Sequence, residues 1–219
     1  MAPGLSTRTP YCLASNRFIP RKNLDGLLKA YHAYRSTTDH PWRLLLLGDG
    51  PERPALEHLI AEMQIDGVQF CGFQQIDVLP AYYAHAGAFV HPAHNDQWGL
   101  VVNEAMAAGL PVIVSNHAGC STDLVQEGVN GFTFAPDDLT ELTRLLRVMS
   151  SPDANRIAMS HASERIVDGW SPANFAHQMW KAVDAGKDRV HIPRRVGRLL
   201  TAAIQRASRG VHSFHSLKD

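Results

Sequence analysis

The sequence of 219 residues contains few cysteines, and they are not in a metal-binding or disulfide-rich pattern. Cys12, Cys71 and Cys120 are far apart, and no Cys-x-x-Cys pair occurs. This spacing argues against both a disulfide framework and a structural zinc site. We therefore predict that each cysteine is a small buried apolar residue in a reducing, cytoplasmic protein.

Long apolar runs and an excess charge of one sign are also lacking. No stretch approaches the roughly 20 apolar residues of a membrane-spanning helix. The first residues do not follow the charged-then-apolar order of a signal peptide. The 21 Lys and Arg balance 21 Asp and Glu, so nucleic acid is not an expected partner. We expect a cytoplasmic globular protein.

Several catalytic and nucleotide-binding signatures are missing as well. Neither a Gly-x-Ser-x-Gly elbow nor a Walker phosphate loop occurs. The stretch Gly48-Asp49-Gly50 lacks the third glycine of the dinucleotide fingerprint, and we interpret it as a turn from strand to helix. His91 and His94 lie near Asp96 in a loop that has no supporting ligand cluster. We therefore predict neither a metal site nor a cofactor.

The sequence does contain a regular alternation of strand and helix patterns. Apolar runs predict about six strands, at residues 11–15, 42–47, 68–73, 88–91, 112–115 and 132–134. Helical periodicity separates them, which predicts an α/β fold with a Rossmann-like, doubly wound parallel sheet. We assign residues 11–186 to this domain and residues 1–10 to a disordered lead-in. Ligands of such sheets bind at the carboxyl ends of the strands.

The last residues differ in composition from the domain. Residues 187–219 contain eight Lys and Arg and two Asp, so the preceding residues carry a net charge of −6. Apolar residues recur there at helical spacing among the arginines. One interpretation is a basic amphipathic helix that contacts an anionic membrane surface. The other is a frayed tail or a helix that packs on a partner.

The stretch from Asp96 to Pro111 carries the clearest functional signal. Asp96 and the turn at Gly99 precede an apolar helical run that contains a second acid, Glu104. Amide groups at a helix start have no partner within the helix and attract anions. We expect Glu104 to need a partner, because an unpaired carboxylate within an apolar run is costly. For Asp96 the alternative interpretation is a helix cap.

Two cations follow the first predicted strand. Arg17 and Lys22 lie in the loop of residues 16–23. A guanidinium fork and a point charge together suit a diphosphate. The alternative is two solvated surface cations. The helix start near Gly99, on the same edge of the predicted sheet, favours the diphosphate.

From about Tyr11 to Ala185 the sequence resembles a known family. It is similar to the C-terminal, nucleotide-sugar-binding domain of the retaining GT-B glycosyltransferases of the family-four type. The resemblance depends on Asn-Arg-Phe-Ile-Pro-Arg-Lys-Asn, Leu-Gly-Asp-Gly-Pro, Val-Gln-Phe-Cys-Gly-Phe, and the run from Asp96 to Pro111 followed by Val-Ile-Val-Ser. It implies one half of a GT-B fold and a nucleoside diphosphate sugar as the donor substrate.

The resemblance also implies roles for individual residues. Glu104 would hold the ribose and Asp96 the donor sugar, while Arg17 and Lys22 would neutralise the departing diphosphate. The implied donor-binding residues share the carboxyl edge of the sheet and are Gly48, Gly72, Phe73, Trp98, Gly99, Leu100, Val101 and Glu104. Asp96 stands where the family usually has Glu, and its shorter arm reaches less far toward the sugar.

The expected function is therefore the donor-binding half of a retaining glycosyltransferase of the hexosyl type. The family's members act in processes such as polysaccharide and glycolipid biosynthesis, and they bind the acceptor through an N-terminal domain. We expect that domain to come from a partner protein or from a second copy of the chain, unless the sequence is a truncated product. The alternatives are a non-catalytic nucleotide-sugar-binding module and, with a poorer fit of motifs, a sugar-nucleotide epimerase.

Overall fold

Six parallel strands form one sheet within residues 10–187, the part of the chain that the computed structural model describes. They are β1 (Tyr11–Ser15), β2 (Arg43–Leu47), β3 (Val68–Gly72), β4 (Ala88–His91), β5 (Val112–Ser115) and β6 (Gly131–Phe134). Their order in the sheet is β3-β2-β1-β4-β5-β6. The predicted Rossmann-like sheet is confirmed, and its strand order reverses next to β1, the usual place for a ligand.

Helices connect the strands. Within the described residues they are α1 (Leu24–Ser36), α2 (Arg53–Glu62), α3 (Leu79–His85), α4 (Leu100–Ala107), α5 (Ser121–Leu124), α6 (Leu139–Ser150), α7 (Arg156–Asp168) and α8 (Pro172–Lys187), with a short 3-10 helix at Pro20–Lys22. The structure divides after Trp170, so that α8 belongs to a separate unit. The predicted disordered lead-in, residues 1–10, and the predicted basic tail, residues 187–219, lie outside the described residues except for Pro10 and Lys187.

The four central strands, β1, β2, β4 and β5, are buried on both faces, as their nearly continuous apolar sequences predict. The edge strands β3 and β6 are only partly buried. In β1, Cys12 and Ala14 face one core cluster, which includes α1, α2 and α6. Tyr11 and Leu13 face the other, which includes α3, α4 and α5. Successive side chains of a strand point to opposite faces, so one short apolar run supplies both cores. Cys12 and Cys120 are buried as predicted, whereas Cys71 is partly exposed.

Some predicted boundaries need correction. The sequence between β5 and the turn at Asn130-Gly131 predicts a helix from Ser121 to Glu127, but α5 ends at Leu124. The Asn130 amide donates to the carbonyl of Leu124 and accepts from the amide of Gln126, and this turn replaces the next helical hydrogen bonds. Similarly, the sequence predicts a helix from Ile76 to Ala86, but α3 begins at Leu79, with Pro80 in its first turn, where proline is well tolerated. Asp137 and Asp138 both precede α6 and are the predicted candidates for its cap; the Asp138 side chain is the one that accepts a hydrogen bond, from Glu141 N.

None of the helices within residues 10–187 has the length and apolar character needed to cross a membrane.

Candidate functional site

A pocket of about 550 Å³ opens at the carboxyl ends of three neighbouring strands. Its lining residues follow β1, β2 and β3 or begin α3 and α4, and they are Ser15, Asn16, Arg17, Leu47, Gly48, Asp49, Phe73, Gln74, Leu79 and Val101. Parallel strands place these loops at the same edge of the sheet. The pocket therefore lies where the sequence predicts a ligand.

Close contact between two loops shapes the floor of this pocket. Gly48 has φ +110°, and a Cβ atom added there would lie only 1.9 Å from the carbonyl oxygen of Asn16. Asn16 N donates to Leu47 O at 3.0 Å. Only glycine fits at position 48, because any side chain would push the β1 loop away. The Gly48 turn thus fixes Asn16 beside the pocket.

The start of α4 forms one side of the pocket. Gly99 is the N-cap residue with φ +96°, and no side chain caps the helix. Val102 N donates to Gly99 O at 2.8 Å, whereas the amides of Gly99, Leu100 and Val101 donate to no protein acceptor within residues 10–187. Amides in this position attract anions, and the helix dipole adds to the effect. Val101 itself lines the pocket.

The two predicted phosphate-binding cations have different surroundings. Arg17 is exposed, lines the pocket, and forms no salt bridge with any residue in the described part of the chain. Lys22 Nζ lies 2.5 Å from Asp96 Oδ2, and about nine-tenths of each side chain is buried. Arg17 can therefore face an anion directly, while the charge of Lys22 is paired with a carboxylate.

Asp96 is held by two partners and does not cap α4. Besides Lys22, His91 Nε2 lies 2.9 Å from the same oxygen of Asp96, and the His91 side chain is fully buried. The hydrogen bond from His91 and the charge of Lys22 keep the pKa of Asp96 far below its usual range, although burial opposes them. The carboxylate is thus ionised and accepts hydrogen bonds only.

His91 has a role that the sequence interpretation missed. We considered it only as a metal ligand, and the described residues contain no group of three or more His, Cys, Asp or Glu side chains suited to a metal. It also packs against the helix start, since a Cβ at Gly99 would lie 3.2 Å from His91 Nε2. A usable signal was present: a polar residue that ends a buried apolar strand needs a partner, and Asp96 follows five residues later.

Glu104 is exposed, although the residues around it in the sequence are apolar. Its neighbours Val102, Ala105 and Met106 are the buried residues of α4, and Glu104 lies on the other side of the helix. Its carboxylate accepts a hydrogen bond from the buried hydroxyl of Tyr83 at 2.9 Å. Burial, and then the charge of Glu104, raise the pKa of Tyr83. Tyr83 was also missed from sequence.

The other predicted donor-binding residues divide into two groups. Gly48, Phe73 and Val101 line the pocket, and the ring of Phe73 is mostly exposed. Trp98 donates from Nε1 to Asn103 Oδ1, and its ring packs 5.0 Å from that of Trp170. Leu100 is exposed, whereas Gly72, which ends β3 with φ +69°, is half-buried. Neither residue lines the pocket. The predicted residues therefore meet at one edge without all lining one pocket.

Comparison with known proteins identifies sequence and structural relatives. The family described as "Glycosyl transferases group 1" matches residues 2–164. Sulfoquinovosyl transferase SQD2 of Arabidopsis thaliana is 39% identical over 129 residues, which are 57% of this chain and 24% of that protein. O-antigen chain mannosyltransferase B of Escherichia coli is 36% identical over 108 residues, which are 48% of this chain and 28% of that protein. The chain thus spans about a quarter of these two relatives.

A solved structure shares the fold. The pneumococcal O-GlcNAc transferase GtfA, in complex with UDP and GlcNAc, superimposes with a TM-score of 0.70 and 21% identity. The match covers 81% of this chain and 36% of that chain. At this identity the likeness concerns the fold alone.

Proposed function

The chain belongs to the glycosyl transferases group 1 family, with the Rossmann-like sheet of the GT-B fold, and we propose that it binds a nucleoside diphosphate sugar for retaining glycosyl transfer. The main support for this proposal is the pocket at the carboxyl ends of β1, β2 and β3. It combines the guanidinium of Arg17, which forms no salt bridge within residues 10–187, with the first turn of α4. Together they suit a diphosphate joined to two polyhydroxylated groups.

The diphosphate is proposed to lie between Arg17 and the start of α4. The amides of Gly99, Leu100 and Val101 offer donors that no described residue uses. Arg17 adds a positive charge that no described residue neutralises. Backbone donors and a guanidinium fork are the common ligands of phosphate oxygens.

The hydroxyl groups of the donor are assigned to the two carboxylates. Glu104 is exposed on α4, and Tyr83 holds it in place, so one carboxylate oxygen can accept from a ribose hydroxyl. Asp96 is ionised and fixed by His91 and Lys22, and it is assigned to the transferred sugar. Relatives named for sulfoquinovosyl and mannosyl transfer support a hexose derivative as that sugar.

The proposed reaction breaks the bond between the anomeric carbon and the diphosphate oxygen. The acceptor hydroxyl oxygen bonds to the same carbon from the same face, which retains its configuration, and its proton passes to the departing diphosphate. Negative charge grows on the leaving group as the bond breaks. Arg17, Lys22 and the α4 amides stabilise that charge, which is the chain's main contribution to the rate.

Acceptor binding is assigned to residues outside the donor pocket. The relatives are several times longer than the matched segment, which supports a second domain or a partner protein as the acceptor site. Polysaccharide or glycolipid biosynthesis is the proposed setting, since one relative is named for O-antigen chains and another for sulfoquinovosyl transfer.

Calorimetry with UDP, GDP and ADP tests the proposal. The full chain should bind one of them, and Glu104→Ala should weaken that binding roughly tenfold through a lost hydrogen bond to a charged group. Glu62→Ala, at the exposed end of α2, is the matched control and should change nothing. Failure to bind any of the three would contradict the proposal.

Transfer assays with labelled nucleotide sugars then separate an enzyme from a binding module. Transfer of label with retained configuration, with the chain alone or with a candidate acceptor protein, supports the transferase. Binding without any transfer in both assays would favour a non-catalytic nucleotide-sugar-binding module.

A further inference from the structure

Asn16 carries a buried amide that the protein itself does not use. Only 7% of the residue is exposed. Neither its side-chain nitrogen nor its side-chain oxygen has a hydrogen-bond partner among residues 10–187. The residue lines the pocket between Arg17 and the Gly48 turn. Both a donor and an acceptor are therefore available at the pocket wall.

Other buried asparagines in the described residues show what a structural amide does. Asn23 donates to the carbonyls of Pro92 and Pro136, at 3.1 and 2.9 Å. Asn130 accepts from Gln126 N at 2.8 Å and donates to Leu124 O at 3.0 Å. Buried polar groups are nearly always paired in this way, and an unpaired one costs stability. Asn16 is thus better explained by a ligand than by folding.

The chemistry of the amide limits what it can bind. Phosphate oxygens at neutral pH mainly accept hydrogen bonds, so a phosphate would satisfy Nδ2 and leave Oδ1 unpaired. A hydroxyl group, or the imide edge of a base, both donates and accepts. The neighbouring Arg17 already supplies a strong ligand for phosphate.

We propose that Asn16 is a donor-binding residue that pairs with a group of the nucleotide sugar that both donates and accepts a hydrogen bond. This inference depends on the proposed function, because it assigns the pocket to a nucleotide sugar. Two parts of a nucleotide sugar carry groups that both donate and accept a hydrogen bond: the transferred sugar, through its hydroxyls, and the nucleoside.

The test measures binding and stability for the same full-length variants. Asn16→Ala removes the amide, and Asn16→Leu replaces it with an apolar group of similar volume. Binding of UDP, GDP, ADP and their glucose esters is measured by calorimetry, and thermal unfolding is followed without ligand. Both variants should bind the preferred nucleotide-glucose roughly tenfold more weakly than the wild type does. The unfolding temperature should stay the same or rise, most clearly for Asn16→Leu.

Asn23→Ala provides the control for a structural amide, and it should lower the unfolding temperature while leaving binding by the folded fraction unchanged. Inorganic pyrophosphate provides the control ligand, and Asn16→Ala should not change its affinity. If Asn16→Ala already weakens binding of the nucleoside diphosphate, which lacks the glucose, the nucleoside is the partner. If it appears only with the glucose ester, a hydroxyl of the transferred sugar is the partner.

Three results would overturn the inference. One is wild-type affinity of Asn16→Ala for every nucleotide and ester, which would leave the proposed function standing. Another is a loss that is equally large for pyrophosphate, which would mean a phosphate contact. The third is a wild-type chain that binds none of the nucleotides or esters, because the proposed function would then fail and this inference with it.

Discussion

His91 and Asp96 are joined by a hydrogen bond of 2.9 Å, in which the imidazole is fully buried and the carboxylate is held at the edge of the sheet. The same carboxylate oxygen binds Lys22. Three separate segments, the end of β4, the loop before α4 and the loop after β1, therefore meet at one atom. This arrangement fixes the geometry of the helix start on which the proposed donor site depends.

Replacement of His91 should lower the stability of the protein. His91→Leu removes the hydrogen bond and leaves a largely buried carboxylate short of one partner, so we expect a loss of about 1–3 kcal/mol in unfolding free energy. His91→Gln should recover part of that loss, because its side-chain amide can donate to Asp96. Urea unfolding measures both variants. His85→Gln, at an exposed helix end, is the control and should change stability by less than about 0.5 kcal/mol.

Asp96 should make stability depend on pH in acid. Its pKa is lowered in the folded protein, first by His91 and then by Lys22. The stabilisation is therefore fully present above the unfolded pKa of about 4 and is lost as pH falls toward the folded pKa. The difference in unfolding free energy between wild type and Asp96→Asn should be largest near neutral pH and shrink below about pH 4. A difference that stays constant from pH 7 to pH 3 would contradict a lowered pKa of Asp96 in the folded protein.

Tyr83→Phe separates the support of Glu104 from the packing of the ring. The ring packs against Phe89, with centroids 5.8 Å apart, and phenylalanine keeps that contact. Loss of the hydroxyl should cost about 1 kcal/mol in unfolding free energy and should weaken nucleotide binding about threefold, because Glu104 loses its fixed position. Calorimetry and urea unfolding measure the two effects.

A matched control for that variant is Tyr11→Phe. The hydroxyl of Tyr11 donates to Tyr82 O at 2.6 Å in the same core. This variant should lose similar stability and keep normal nucleotide affinity. Equal affinities for the two variants would mean that Tyr83 does not act through Glu104.

The sequence predicted the sheet well because its strands are short apolar runs that can be buried on both faces only in a covered parallel sheet. All six predicted strands, including Ala88–His91 and Val112–Ser115, agree with the structure to within one residue at each end. The run from Asp96 to Pro111 also begins a helix at the expected turn. Local periodicity carries this information, because it fixes which face of each element is buried.

Side-chain partners were less predictable. The contact of Lys22 with Asp96, which is 74 residues away, was not predicted, and the expected contact of Lys22 with a diphosphate stays a prediction. The contact of Tyr83 with Glu104 and the position of Asn16 at the pocket likewise depend on which elements meet at the sheet edge. No local pattern contains that information, since such contacts are set by the strand order and by the register of the sheet.

Gly99→Ala tests whether the geometry of the α4 start matters beyond stability. The residue has φ +96°, and a new Cβ would lie 3.2 Å from His91 Nε2 and 3.5 Å from Cys120 Sγ. Backbone strain alone should cost about 1–3 kcal/mol in unfolding free energy.

Gly128→Ala is the matched control, because it has φ +71° and an added Cβ would meet no atom within 4 Å. We expect both variants to lose stability, but only Gly99→Ala to weaken nucleotide binding, by about tenfold or more, since its crowding displaces the α4 amides from the pocket. Calorimetry on the folded proteins measures this difference, and equal nucleotide affinities for the two variants would show that the amides at the start of α4 do not bind the diphosphate.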